Sequence, residues 1–213
     1  ICTTDDPVDS LEWHKVLAED DTFEVKVLPA WRPDKAMNIE KPEYLDYLKT
    51  LSDVSGITVN SFASLMDALR NRMEFFASMG CCVSDHALEY VMYKPYTTEE
   101  IEKIFAKRFA GETITVDEMN KFKTAFMVSV GKEYNKLNWV MQLHYGTIRD
   151  NNTLRYNQLG PDTGYDCINT YDCSAEMAQF LNALNITDEL PKTIIYSLNP
   201  SVNAAIGTVL GCF

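Results

Sequence analysis

Three short stretches put acid–base and anion-binding side chains directly after apolar runs. VLPAWRPD ends in Trp31, Arg32 and Asp34, GCCVSDHAL carries Asp85 and His86, and WVMQLHYGTIRDNN carries His144 and Arg149. An imidazole changes charge near neutral pH, so it can move a proton or hold a metal ion. A guanidinium can clamp a carboxylate through two parallel hydrogen bonds, and a neighbouring tryptophan can form a wall. Each residue also has a plainer use. Arg32 could pair with Asp34, His86 and His144 could be satisfied structural histidines, and Asn151 and Asn152 could simply bond their own turn. His14 falls on a helical stretch near Leu17, which favours a packing or solvated role. Asp5 and Asp6 could be a metal pair, but Asp6 is also placed to cap a helix.

A catalytic metal centre takes about three protein ligands and an open position. No HxH or HExxH occurs in the chain. His86, His144 and one carboxylate would form a centre only if the fold brings them together.

The elements that must position these residues follow one rhythm. Five β-rich runs end in polar bursts: residues 1–7, 23–34, 80–88, 139–152 and 192–201. Helical patterns lie between them. Asp6 and Pro7 read as a cap and first position for a helix to about Ala18. Further helices are expected over 42–51, 61–79, 97–110, 116–134 and 174–184, and one more opens at Asn199-Pro200. Strands alternating with helices predict an α/β fold with a parallel sheet. A doubly wound sheet would carry a glycine-rich phosphate loop, and neither GxGxxG nor GxxxxGK[ST] is present. A (β/α)8 barrel gathers polar residues at the ends of many strands, which suits the five bursts. Five strands do not close a barrel, so residues 1–213 are expected to be one incomplete α/β-barrel portion. Residues 89–138 read as a helical elaboration on its outside. The chain opens and stops on apolar segments, as if cut from a longer protein.

Composition narrows the classes. The 213 residues are 46% hydrophobic and 23% charged, ordinary for a globular chain, with a formal net charge of −12. That charge argues against nucleic acid or an anionic membrane as the main partner, while local arginines can still bind a small anion. No apolar run reaches the roughly 18 residues of a membrane span. The six cysteines include no CxxC and read as small buried hydrophobes in a reducing, cytoplasmic setting.

ICTTDDPVDSLEWH, VLPAWRPDKAMNIE, MGCCVSDHALEYV, QLHYGTIRDNNT, LGPDTGYD and LPKTIIYSLNP together resemble the uronate (glucuronate) isomerase family, in that order and over essentially the whole chain. The resemblance implies a TIM barrel of the amidohydrolase superfamily, with this chain supplying about strands two to six. It implies an aldose–ketose isomerase that interconverts D-glucuronate with D-fructuronate and D-galacturonate with D-tagaturonate. It makes His144 and Arg149 the catalytic candidates on the fifth strand. Arg32, with Trp31 beside it, and Asp85 and His86 become the substrate-binding candidates. It also implies a divalent metal, zinc, whose ligands lie outside this chain, a hexuronate as the small-molecule partner, and an open question of homo-oligomerisation. Tyr145 departs from the smaller residue common after this histidine, which bears on packing alone. A metal-dependent hydrolase of the same superfamily is the rival activity, and a piece without activity by itself is the rival to both.

Overall fold

The computed structural model describes residues 1–213. Three parallel strands form its main sheet: β1 (Val83–Leu88), β2 (Val140–Tyr145) and β5 (Thr193–Ser197), in the order β1-β2-β5. Val83 lies opposite Val140 and Leu88 opposite Tyr145; Met141 lies opposite Thr193 and Tyr145 opposite Ser197. Single parallel bridges extend the pattern, joining Cys2 to Leu28, Asp5 to Trp31, and Trp31 to Ser84. The segments therefore lie side by side in chain order. This is the α/β fold with a parallel sheet expected from the sequence. The first two segments differ from expectation in being bridges rather than continuous strands, and residues 22–26 are exposed.

Helices cover one face of this sheet. They are α1 (Glu12–Ala18), the short α2 (Asp34–Met37), α3 (Tyr44–Ser55), α4 (Phe62–Ser78), α5 (Thr98–Phe109) and α6 (Val116–Lys136). After β2 comes a two-stranded antiparallel ribbon, β3 (Thr147–Ile148) with β4 (Cys167–Ile168), which brackets α7 (Thr153–Leu159). Then come α8 (Ser174–Asn185) and, after β5, α9 (Asn203–Leu210).

Local chemistry explains several boundaries. Ser61, Thr97 and Thr115 each accept a hydrogen bond from a backbone N–H three residues on, and the side chain there accepts one from the cap residue's own backbone N–H. Gly56 ends α3 in the left-handed conformation, φ 70°, which costs glycine little. The first helix starts later than its Asp-Pro signal suggests. Asp6 spends its carboxylate on Val8 N–H and Tyr47 O–H, and Leu11 adopts φ 53° before the helix begins at Glu12.

A strand points successive side chains to opposite faces. Ser84, His86, Met141 and Leu143, all wholly buried, point toward the helices, whereas Asp85, Gln142, His144, Ile194 and Tyr196 take the other face. On that other face Ile194 and Tyr196 stay 41% and 43% exposed. The core behind the sheet is one continuous cluster that runs from Trp31 through Phe76, Phe122 and Phe126 to Phe180 and Leu184. The segment 89–138 belongs to it. Helix α6 buries Phe122, Phe126, Val130 and Tyr134, so this segment is part of the packed body and not an external addition. Only Cys81 and Cys173 are buried; the other four cysteines are exposed and all six are free, which corrects the reading of them as buried hydrophobes. No helix is long and apolar enough to cross a membrane.

Candidate functional site at the strand ends

The polar bursts meet at the carboxyl ends of the parallel strands, where ligands of parallel α/β folds bind. Asp85, on β1, is the centre of the arrangement. One of its carboxylate oxygens accepts from Arg32 Nη2, and the other is bonded to His144 Nδ1. Asp85 is 5% exposed, while the side chains of Arg32 and His144 keep 33% and 42% of their surface open. The imidazole of His144 stacks on Tyr196 at 4.2 Å between ring centres. Arg32 is hydrogen-bonded to Asp85, and its Nε also forms a longer ion pair with Asp34 Oδ2 at 3.9 Å.

Asp34 has its own anchor. Its Oδ2 accepts from Ala87 N–H at 3.0 Å, and its Oδ1 lies 3.5 Å from His86 Nδ1. His86 is wholly buried on the helix side and reaches Tyr134 Oη at 3.1 Å. Burial pushes the Tyr134 phenol well above the ordinary tyrosine range. Trp31 Nε1, Arg32 Nε, Asp34 Oδ1, Ser84 Oγ and His86 Nδ1 are buried without a hydrogen-bond partner, all in this corner of the molecule. Buried polar atoms are ordinarily satisfied, so their concentration here sets this corner apart from the rest of the core.

A cavity of about 730 Å³ opens beside the cluster. Its lining includes Arg32, Asp34, Glu40, Lys123, Arg149 and Tyr156. Arg149 is half-exposed on the ribbon and pairs with Asp162 at 2.9 Å and Asp166 at 3.5 Å. The Lys123 ammonium, mostly buried on α6, meets Glu40 at 2.8 Å.

Of the residues singled out from sequence, Arg32, Asp85 and His144 come together in direct contact, and Arg149 shares the cavity with Arg32. Two others do not join them. Trp31 is not a wall of the site: it is wholly buried, edge-on to Phe76 at 4.9 Å and tilted against Trp139 at 6.2 Å. His86 is not on the rim either. The reason is the same in both cases. Trp31 precedes Arg32 and His86 follows Asp85, and adjacent strand residues face opposite ways. His86 and His144 thus lie on opposite faces of the sheet and cannot share a metal ion. No group of three His, Cys, Asp or Glu side chains is placed to hold one. Lys123 and Glu40 were missed by sequence reasoning. The available signal was a lysine sitting between Phe122 and Phe126 on the apolar face of a helix.

Fold and site together define an α/β protein with a parallel sheet and an arginine–carboxylate–histidine cluster beside a cavity at the strand ends. The chain belongs to the glucuronate isomerase family, whose model matches residues 1–213. It is 87% identical to the uronate isomerase of Lachnospira eligens over 213 residues, which is 100% of this chain and 46% of that protein. It is 75% identical to the uronate isomerase of Lachnoclostridium phytofermentans, with the same coverage of each chain. Among solved structures it resembles the Thermotoga maritima uronate isomerase, with TM-score 0.93, 35% identity, and coverage of 100% of this chain and 47% of that one. The Caulobacter crescentus glucuronate isomerase gives TM-score 0.86 and 25% identity over 95% of this chain and 42% of that one. The chain spans about half the length of the relatives it matches.

Proposed function

We propose that the protein carrying this chain is an aldose–ketose isomerase acting on hexuronates, converting D-glucuronate to D-fructuronate and D-galacturonate to D-tagaturonate. The observation that carries the reading is family membership over every residue, with Arg32, Asp85 and His144 in one cluster at the strand ends. Isomerisation moves a proton between C1 and C2 of the open-chain sugar acid through an enediolate. It needs a group that exchanges the proton, and an anchor for the distal carboxylate. In this reading His144 exchanges the proton, Arg32 anchors the carboxylate, and Arg149 adds positive charge from across the cavity.

The sheet is part of a (β/α)8 barrel. The side-by-side order of five parallel segments, helices on one face and an uncovered face bearing Ile194 and Tyr196 support this. In this reading the full protein also uses a divalent metal, zinc, held by residues that this chain does not supply. In this reading it works in the cytoplasm on a small-molecule substrate, and the net charge of −12 argues against nucleic acid or an anionic membrane as its main partner. The test is turnover of D-glucuronate and D-galacturonate by the full-length protein, read as ketose formed. Ketose from either uronate is the expected result. Hydrolysis of an amide or ester without any isomerisation would replace the reading with that of a superfamily hydrolase.

A further inference from the structure

Asp85 is the least exposed member of the polar cluster on its face of the sheet, and neither of its oxygens is free. At 5% exposure, with a partner already on each oxygen, it presents little surface to a substrate hydroxyl. Its two contacts differ in what they can determine. The guanidinium of Arg32 has donors to spare and no choice of protonation. The imidazole of His144 has a choice: when neutral, one ring nitrogen carries the proton and the other a lone pair.

We propose that Asp85 is a positioning residue that fixes the tautomer of His144, holding the proton on Nδ1 so that Nε2 presents a lone pair to the substrate. The inference rests on the proposed isomerase function for its catalytic consequence, but not for the tautomer itself. A carboxylate accepts hydrogen bonds and does not donate them, so the nitrogen facing Asp85 Oδ1 must be the protonated one. The Tyr196 ring, stacked at 4.2 Å with an interplanar angle of 28°, keeps the imidazole from turning out of line. Arg32, on the opposite carboxylate oxygen, prevents rotation of Asp85 away from His144. The cluster thus holds anchor and proton carrier at a set separation through one shared carboxylate. The groups facing it across the site are Asp34, beside Arg32, and the phenol of Tyr196.

Asp85→Asn isolates the effect. An amide has one accepting oxygen. Arg32, being charged, takes that oxygen, and the amide NH2 then faces His144 Nδ1. The imidazole must shed the Nδ1 proton and carry it on Nε2, the nitrogen that should be free. Replacing an orienting carboxylate by its amide in a serine protease lowers kcat about 10⁴-fold through the same wrong tautomer.

The experiment uses the full-length protein with isotope-labelled histidine, its His144 signals identified by their loss in His144→Gln. In the wild type the ring should show a protonated Nδ1 and a bare Nε2. In Asp85→Asn the proton should move to Nε2, kcat should fall about 10²-fold or more, and KM should stay within about threefold. In the His144→Gln background the same change should cost less than about threefold, because the imidazole whose tautomer Asp85 sets is gone while the amide oxygen still accepts from Arg32. A wild-type His144 protonated on Nε2 would overturn the proposal. So would a KM raised about tenfold at unchanged kcat, which would make Asp85 a substrate ligand. If the asparagine variant does not fold, the wild-type spectrum alone decides the tautomer. If the protein does not isomerise uronates, the isomerase reading falls while the tautomer is still decided by the spectra.

Discussion

Replacing Tyr134 by phenylalanine should produce a stability loss that shrinks as the pH rises. Tyr134 is wholly buried, and its hydroxyl is the partner of His86 Nε2 at 3.1 Å. Without it, both nitrogens of a fully buried imidazole lack a close partner, since Nδ1 already has none. Leaving a buried polar group unsatisfied costs about 1–3 kcal/mol, so a loss of about 2 kcal/mol is expected at pH 8. Burial also holds the Tyr134 phenol well above its unfolded value near 10. Below pH 10 both folded and unfolded chains keep that proton, and it adds no pH dependence. Above pH 10 the unfolded chain gives it up while the folded one retains it. The unfolded state then binds fewer protons, so stability falls by about 1.4 kcal/mol per pH unit from this group. Phenylalanine has no such proton and escapes this loss. Tyr44 and Tyr47, also raised well above the ordinary range by burial, contribute equally to both proteins and cancel in the difference. The deficit of the variant should therefore narrow from about 2 kcal/mol at pH 8 to about 0.6 kcal/mol at pH 11. Urea denaturation of both full-length proteins across this range measures it, with tyrosinate absorbance following the titration. A deficit that stays constant to pH 11 would refute the burial of a neutral phenol against His86.

Three further substitutions separate the roles of neighbouring residues. Arg32→Met should lower kcat/KM for uronates by about 10²-fold or more, the loss of a charge-assisted clamp, and should also cost about 1–3 kcal/mol of stability, because the nearly buried Asp85 carboxylate loses one of its two partners; near-normal kinetics would remove Arg32 from the site. Trp31→Phe should spare the kinetics, costing about 1–3 kcal/mol of stability by leaving a void beside Phe76 and Trp139 while KM stays within about twofold; a large KM change at full stability would put the indole back in the site. Glu118→Gln should cost about 1 kcal/mol at neutral pH and lose that effect in acid. The Lys107 ammonium, with help from Thr115, holds the Glu118 carboxyl down to about 2. Its contribution is therefore present above about pH 4.5 and disappears as pH falls toward 2, and denaturation midpoints of both proteins at pH 7 and pH 3 check the sign.

The sequence was most legible where a signal is local. The apolar spacing over 97–110 and 116–134 predicts two helices, and the structure places them at Thr98–Phe109 and Val116–Lys136. The polar endings of the strands were legible too, because a strand that turns polar after an apolar half is visible in composition alone. What composition cannot carry is parity. Trp31 and Arg32 stand next to each other, as do Asp85 and His86, and a search for chemical residue types takes each pair whole. The pleat divides each pair, sending one side chain to the cavity side and the other to the helices. Nor can local signals carry register. The Asp85–His144 contact joins residues 59 apart in the chain, and it exists because Ala87 lies opposite His144 in a parallel ladder, leaving Asp85 two positions back on the same face. A shift of one residue in that ladder would turn His144 toward the helices and bring Leu143 to Asp85. The helices that fix the ladder are packed by Phe122, Phe126 and Tyr134, so the tautomer of one imidazole depends on a hydrophobic stripe that has no chemistry of its own.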